Sequence, residues 1–512
     1  MNDGPADVED PTEVRSPAAG SRRGSLLVRN FGVLMSSQLA TWGLSMAATI
    51  VIPRYLGAEL LGRLHIANSL WAIGFVVASF GMNLLITKEV ARDPSRLGPL
   101  LATSITLRLL LSVPVALLLF VYARLAGYAD QTIAVLAIIG AATLGLSVTA
   151  SIASILQGLE RMGAMSLATV VGRVVFVGGS LALLAAGYGI IAVAVVTAAG
   201  NFVSLALHVW ALRDVRRELG DHSRMSVDTA ALVDLLRRSA PYFGLSFFIV
   251  LYLQVDAIVI SLVVESEEVL GWYSIYDKLA GTLMFVPTVF MTVMYPSLSR
   301  LFSDSPDGHN RLTRKSYELM LLISIPLGLG LAAIARPLVE LMFGADFEEA
   351  AAVMAVGGIV TSLTYLTTVL GMFLISMDRQ REWTRIIAFG ALLTIPLDIV
   401  LVPLFQTHFD NGAIGGAVAY LITEGLVLAG AIYLLPTGAL GPGSTAFTAR
   451  VVAAGVVMVG VIYPLRELVL PVQVAAGALS YGVMVAVLRL VSAEDRELLR
   501  SYLPGALGRE RT

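Results

Sequence analysis

Arg108, Arg173, Asp256, Asp277, Lys278, Asp398 and Glu424 all fall inside long apolar stretches of a 512-residue chain. An ionisable group at bilayer depth costs a few kcal/mol unless it faces protein or water, so each is a candidate for function. Arg108 shares a helix face with Ser104 and Ser112, four residues to either side; Arg173 shares one with Ser166, Thr169 and Ser180. Gln38, Thr41, Ser45 and Thr49 make a similar stripe. Serine and threonine stripes also serve as small polar glue between membrane helices, so packing and cavity lining both stay open for them. A guanidinium that merely packs would want a carboxylate nearby, and the first six apolar stretches contain none. Arg108, Arg173, Gln38 and Thr41 are therefore candidates to line a cavity, where paired hydrogen bonds from arginine suit an anionic phosphate headgroup.

The second half of the chain carries the acids. Asp256 has Tyr242 and Ser246 roughly on its face and is read either as a cavity residue or as a structural partner to an arginine or a helix end. Asp277 and Lys278 are read near an outer helix end, where snorkelling is cheap. Glu424, the most deeply placed acid, is the best candidate for a proton or cation site, with Asp398 as a second. Histidines 65, 208, 222, 309 and 408 are scattered without ligand spacing, and no metal, catalytic residue or cofactor is expected. Cysteine is absent, which excludes disulfides and thiolate chemistry. No P-loop is present, so ATP is not the direct energy source. No enzyme signature is visible.

These residues need helices to hold them in a membrane. The chain is 57% hydrophobic and 14% charged, against about 25% charged for an ordinary soluble domain. About fourteen apolar stretches, each near the twenty residues that a bilayer core requires, run from Val28 to Leu490. The expected spans are 29–52, 64–86, 99–121, 131–155, 164–186, 190–212, 240–263, 270–295, 316–335, 352–376, 384–404, 413–435, 446–464 and 470–490. The fold class is an all-α polytopic membrane protein with two parallel six-helix lobes around a central cavity and two further C-terminal helices. The lipid bilayer is its solvent, and no nucleic-acid partner is expected.

Charge between the spans orients them. Lys88, Arg92 and Arg96, the group from Arg213 to Arg238, the group Arg300, Arg311, Arg314 and Lys315, and the group Arg379, Arg381 and Arg385 all fall on one side. Opposite loops such as Glu265–Glu268 and Gln406–Gly412 have no Lys or Arg. The positive-inside rule then places both termini in the cytoplasm of a cell-membrane protein. The expected organisation is a disordered tail over 1–28, a first lobe over 29–213, a linker over 214–239, a second lobe over 240–435, two extra spans within 446–490 and a tail over 491–512. Leu232, Leu235 and Leu236 suggest a short amphipathic helix on the membrane surface, or a plain linker. Prolines 114, 287, 326 and 396 fall inside spans as candidate kinks, and Arg54 is read as an outer anchor or a cavity gate.

An internal repeat relates the halves. Leu61-Gly62, Ile66 and Leu70 match Leu270-Gly271, Ile275 and Leu279 at an offset of 209, and Glu160-Arg161 matches Asp378-Arg379 at an offset of 218. Six spans per unit give both units one orientation, hence a parallel repeat about the membrane normal, with a substrate site between the halves.

Pro53-Arg54-Tyr55-Leu56-Gly57, then Gly62, Phe80-Gly81 and Glu89-Val90-Ala91-Arg92 resemble the opening of polysaccharide flippases, of the superfamily that also holds multidrug exporters and lipid II flippases. The resemblance continues through Leu156–Arg161, Pro241, Asp256, Gly271-Trp272-Tyr273, Tyr295–Ser299 and Gly344–Phe347, and covers about residues 26 to 435. One departure is Arg63-Leu64-His65, where the family more often has an aromatic after the glycine. The resemblance implies a V-shaped pair of lobes that alternate access and move a polyprenyl-linked oligosaccharide, alongside other polysaccharide-assembly proteins. A cation-coupled multidrug antiporter of the same superfamily is the alternative. A membrane polymerase or ligase of lipid-linked sugars fits less well, since it calls for a large outward loop.

Overall fold

Gly57 decides how the chain enters the membrane. In the computed structural model, which describes residues 17–219 and 227–491, α1 runs over Pro17–Ser79, with Gly57 alone inside it in a non-helical conformation (φ 74°, ψ 174°). Its apolar part, Ser36–Ser79, has 44 residues, about 66 Å if straight, against a hydrocarbon core of about 30 Å. Only glycine adopts that backbone cheaply, so one continuous helical stretch becomes two passes. Pro53, one turn earlier, loosens the same place. At its other end α1 begins at Pro17, inside the stretch read as a disordered tail; proline fits the first helical turn, where its missing N–H costs nothing. Residues 1–16, the middle of the linker and the tail beyond 491 lie outside the described residues.

The remaining helices are α2 (Met82–Arg92), α3 (Leu97–Leu125), α4 (Asp130–Gly158), α5 (Met162–Ala185), α6 (Ile190–Leu219), α7 (Thr229–Val263), α8 (Glu267–Leu283), α9 (Phe285–Asp304), α10 (Pro306–Ala333), α11 (Ala335–Phe343), α12 (Ala350–Ser376), α13 (Gln380–Phe409), α14 (Gly412–Leu434), α15 (Pro442–Ile462) and α16 (Leu470–Val487). Among the described residues twelve helices are long and apolar enough to cross a membrane. One of the twelve is the bent Ser36–Ser79, which crosses twice. The span expected over 270–295 is broken at Met284 into α8 and α9, with Pro287 in the first turn of α9. Fourteen passes result. Pro114, Pro326 and Pro396 do lie inside helices, as do Pro241 and Pro403.

Packing sorts the helices into two bundles. The first is built from α1 to α6, where α5 and α6, α4 and α6, and α1 and α5 pack most extensively. The second is built from α7 to α14, around α10–α12, α12–α14 and α13–α14. The hairpin α15–α16 leans on α10. Leu117, Leu118 and Val400 are exposed on bundle surfaces, which is where lipid replaces water as the solvent.

The linker's apolar face meets protein instead of lipid headgroups. Thr229–Arg238 continues unbroken into α7. Leu235 is buried with Met82, Leu85, Leu97 and Leu101, and Leu232 and Leu236 pack on the same cluster. A neighbouring helix offers that face more apolar area than a headgroup layer would.

The repeat reaches down to backbone detail. Glu160 and Asp378, matched by the 218 offset, both have φ of 58°. Each follows a helix end, and the next amide closes back onto a carbonyl five residues earlier: Arg161 N to Leu156 O at 2.8 Å, Arg379 N to Leu374 O at 2.9 Å. That is the same left-handed helix stop written twice, with a non-glycine residue each time.

Candidate functional site

The acids of the second bundle converge from four helices. Tyr252 and Asp256 are one turn apart on α7, Tyr273, Tyr276 and Asp277 lie on α8, Asp398 on α13, and Tyr420 and Glu424 on α14. The Tyr252 hydroxyl donates to Glu424 Oε2 at 2.7 Å, and the Thr367 hydroxyl donates to its other oxygen. Tyr273 donates to Asp256 Oδ2 at 2.9 Å. Asp398 interacts with Asp256, yet neither of its oxygens, nor Asp256 Oδ1, has an aligned hydrogen bond. All three acids are at most 2% exposed. The donors that reach Glu424 and Asp256 are neutral hydroxyls, so the charged form of these acids carries a desolvation cost that no cation beside them offsets among the described residues. Tyr252, Tyr276, Asp277, Thr364, Tyr420 and Glu424 line a cavity of about 540 Å³. Asp256, read as a substrate contact, thus groups with the coupling candidates Asp398 and Glu424. Among the described residues no cluster of metal-ligand type is present.

The first bundle separates its two arginines. Arg173 on α5 donates from Nε and Nη2 to Ser45 Oγ at 3.0 and 2.6 Å, and its guanidinium lies 5.0 Å from the Phe176 ring centroid. Ser45 belongs to the α1 stripe, one turn from Thr41 and two from Gln38, which is exposed. Arg173, Ser45, Thr41 and Gln38 therefore share one polar track. Arg108 does not join it. It is 0% exposed and donates to Ser79 Oγ at 2.9 Å and to Asn83 Oδ1, at the break between α1 and α2. Neutral oxygens at that break stand where a carboxylate was expected, and the side chain is fully enclosed in this state. Its Nε finds no partner.

Two features were missed or misplaced in the sequence. Lys278 is eleven residues past the start of α8, about 16 Å along the helix axis, further from the helix end than a span starting at 270 implies. No salt bridge within 4 Å reaches it among the described residues, its charged neighbour being Asp277 on the same helix, and His65 of the first bundle lies near. The earlier helix start at Glu267 was the missing signal. Arg54 donates to the carbonyls of Leu341 and Met342 at the end of α11. It therefore ties the first pass to the second bundle, which neither the anchor nor the gate reading described. At the basic end, Glu89 of α2 binds Arg96 and, across the bundles, Arg238 of α7.

Residues 27–302 match the family described as polysaccharide biosynthesis protein, more than half of the chain. The chain belongs to that family. It is also similar to the probable low-salt glycan biosynthesis flippase Agl15 of Haloferax volcanii, 24% identical over 388 residues, 74% of this chain and 76% of that protein. In three dimensions it resembles lipid II flippase MurJ in an inward closed conformation, with a TM-score of 0.71 and 15% identity, over 91% of this chain and 99% of that one. An inward-facing multidrug resistance MATE family transporter of the MOP superfamily matches with a TM-score of 0.58 and 14% identity, over 83% of this chain and 98% of that one. At such identities the two structures speak for the fold: the polysaccharide biosynthesis family member has two bundles of the flippase and exporter type.

Proposed function

We propose that this protein is a transmembrane flippase that moves a polyprenyl-linked oligosaccharide across the cell membrane for surface polysaccharide or glycan assembly, by alternating access between its two bundles. The observation that carries this reading is the similarity to a glycan biosynthesis flippase over about three quarters of both chains, within a polysaccharide biosynthesis family. The molecule's own chemistry supports it. Arg173, with Gln38 and Thr41 on the same track, offers a planar cationic fork to a phosphate or pyrophosphate headgroup. Elsewhere along α1, at Met46, an apolar cavity of about 530 Å³ lies between Met46, Leu283 and Leu331 on one side and Met458, Ala478 and Tyr481 of α15–α16 on the other. A lipid tail fits such a surface without leaving hydrocarbon. Glu424, Asp398 and Asp256 are the candidates to couple a proton or cation to the cycle. The termini face the cytoplasm, as the basic clusters require, and other polysaccharide-assembly proteins supply and use the cargo.

Vesicles reconstituted with the protein and a labelled polyprenyl-linked saccharide test this. Arg173→Ala is expected to lose flipping and Arg173→Lys to retain part, with both variants folded; full flipping by Arg173→Ala removes that residue from substrate handling. A second reading, a cation-coupled multidrug antiporter, draws on the buried acid set of the second bundle. Drug efflux that disappears in Glu424→Gln, without saccharide flipping in the parent protein, favours that reading instead.

A further inference from the structure

The 209-residue repeat offset maps Ala58 onto Glu267 and Gly62 onto Gly271. A Cβ added to Gly62 would run into the carbonyl oxygen of Glu267, and one added to Gly271 would run into the carbonyl oxygen of Ala58, each well inside 3 Å. The two contacts are the same contact exchanged between the bundles, as a two-fold axis along the membrane normal requires. The second pass of α1 and α8 therefore touch backbone to backbone at the end opposite the basic clusters. Tyr128, in the turn between α3 and α4, adds a 2.7 Å hydrogen bond to Ser261 of α7 at the same end.

The residue after each glycine breaks this symmetry. The second copy has Trp272, the aromatic that the sequence pattern favours; the first has Arg63. Arg63 donates from Nε to Glu267, from Nη1 to Gln131 Oε1 and from Nη2 to Glu59. Glu59 and Gln131 belong to its own bundle, and Glu267 belongs to the other. A cavity of about 310 Å³ borders Arg63 and Glu267. The side chains of Arg63, Glu267 and Glu59 are 18%, 30% and 53% exposed.

We propose that Arg63 is a releasable ionic clamp that holds the bundles shut over the Gly62–Gly271 seam, and that ionic strength on that face sets how readily they part. Of the three bonds that Arg63 makes, separation breaks only the one to Glu267. Glu59 and Gln131 stay with the guanidinium, so opening leaves no bare buried charge, the situation that makes breaking a fully buried pair so costly. Partly exposed pairs are weak and screened by salt, with a Debye length of about 10 Å at 0.1 M. Such a clamp biases the closed state without locking it.

The test uses the chain's lack of cysteine. Ser69→Cys places a thiol seven residues below Gly62, at a position now 1% exposed. An impermeant thiol reagent is added to each face in turn, with no substrate present, so the outcome does not depend on the transport reading. From the seam face, Arg63→Gln is expected to raise the labelling rate about two- to fivefold, as loss of a pair worth up to about 1 kcal/mol implies. Raising salt is expected to raise labelling in the parent chain and not in Arg63→Gln. The exchange Arg63→Glu with Glu267→Arg is expected to restore slow, salt-sensitive labelling. A parent chain whose labelling from that face ignores salt overturns the proposal, as does an Arg63→Gln chain that labels no faster. The salt comparison needs no substitution in the clamp, so a misfolded variant cannot mask the answer.

Discussion

Replacing Arg108 separates a residue that shapes the fold from one that handles cargo. The side chain is wholly enclosed and makes two hydrogen bonds, to Ser79 and Asn83, with its Nε unpaired. In Arg108→Ala the vacated volume of roughly 80 Å³ costs about 2 kcal/mol at ~24 cal/mol per Å³. The stranded Asn83 carbonyl adds about 1–3 kcal/mol, while the Ser79 hydroxyl can turn back to its own helix. Together the loss is about 3–5 kcal/mol. Arg108→Met fills most of the space and removes a buried charge, so only the Asn83 term remains, about 1–3 kcal/mol. Lysine keeps the charge but can satisfy only one oxygen well. The expected order of thermal stability in detergent is therefore parent, then methionine and lysine, then alanine. Flipping in vesicles should follow the folded fraction, with Arg108→Met active. A methionine variant as stable as the parent but inactive in flipping would refute this reasoning and return Arg108 to the substrate path.

Other substitutions probe other parts of the molecule. Asp378→Gly, at an exposed position with φ of 58°, is expected to raise stability by about 1 kcal/mol, since glycine adopts that backbone without strain; a thermal melt that does not rise counts against it. Gly328→Val would drive a side chain into Ser362 and the Gly358 carbonyl; loosening of α10 from α12, read as a stability loss of about 1–3 kcal/mol, is the expected result. Asp398→Asn and Glu424→Gln should each remove the dependence of transport on a proton or cation gradient while leaving the protein folded, and unchanged gradient dependence in both would take the acid set out of coupling. A cysteine at Ser266 should react with an impermeant reagent from outside the cell and one at Ser95 should not; the reverse pattern inverts the orientation.

Much of the architecture was legible because lipid imposes a simple rule: apolar stretches of fixed length, separated by charge. Fourteen passes, the parallel repeat and the basic face all follow from that rule. Breaks within a pass were not legible. Gly57 and Met284 sit in apolar surroundings, and only the Pro53–Gly57 and Met284–Pro287 spacings hint at them. The misplaced Lys278 follows from the second of these, because α8 begins earlier and ends sooner than its hydropathy suggests. The candidate site was legible as a list of residues but not as a grouping. Nothing along the chain says that Asp256 turns toward Asp398 and Glu424, or that Arg173 reaches Ser45. The sequence pointed to an acid as the partner a packed Arg108 would need, whereas a neutral amide, Asn83 inside the second span, takes that place.

The central claim is tested most directly by the purified protein in vesicles with a fluorescent polyprenyl-linked oligosaccharide in both leaflets and a membrane-impermeant quencher outside. Flipping should let the quencher reach nearly all of the label, whereas vesicles without the protein should keep about half of it protected. Protection that stays at half, in vesicles whose protein is folded and catalyses drug–cation exchange, would contradict a lipid-linked oligosaccharide flippase.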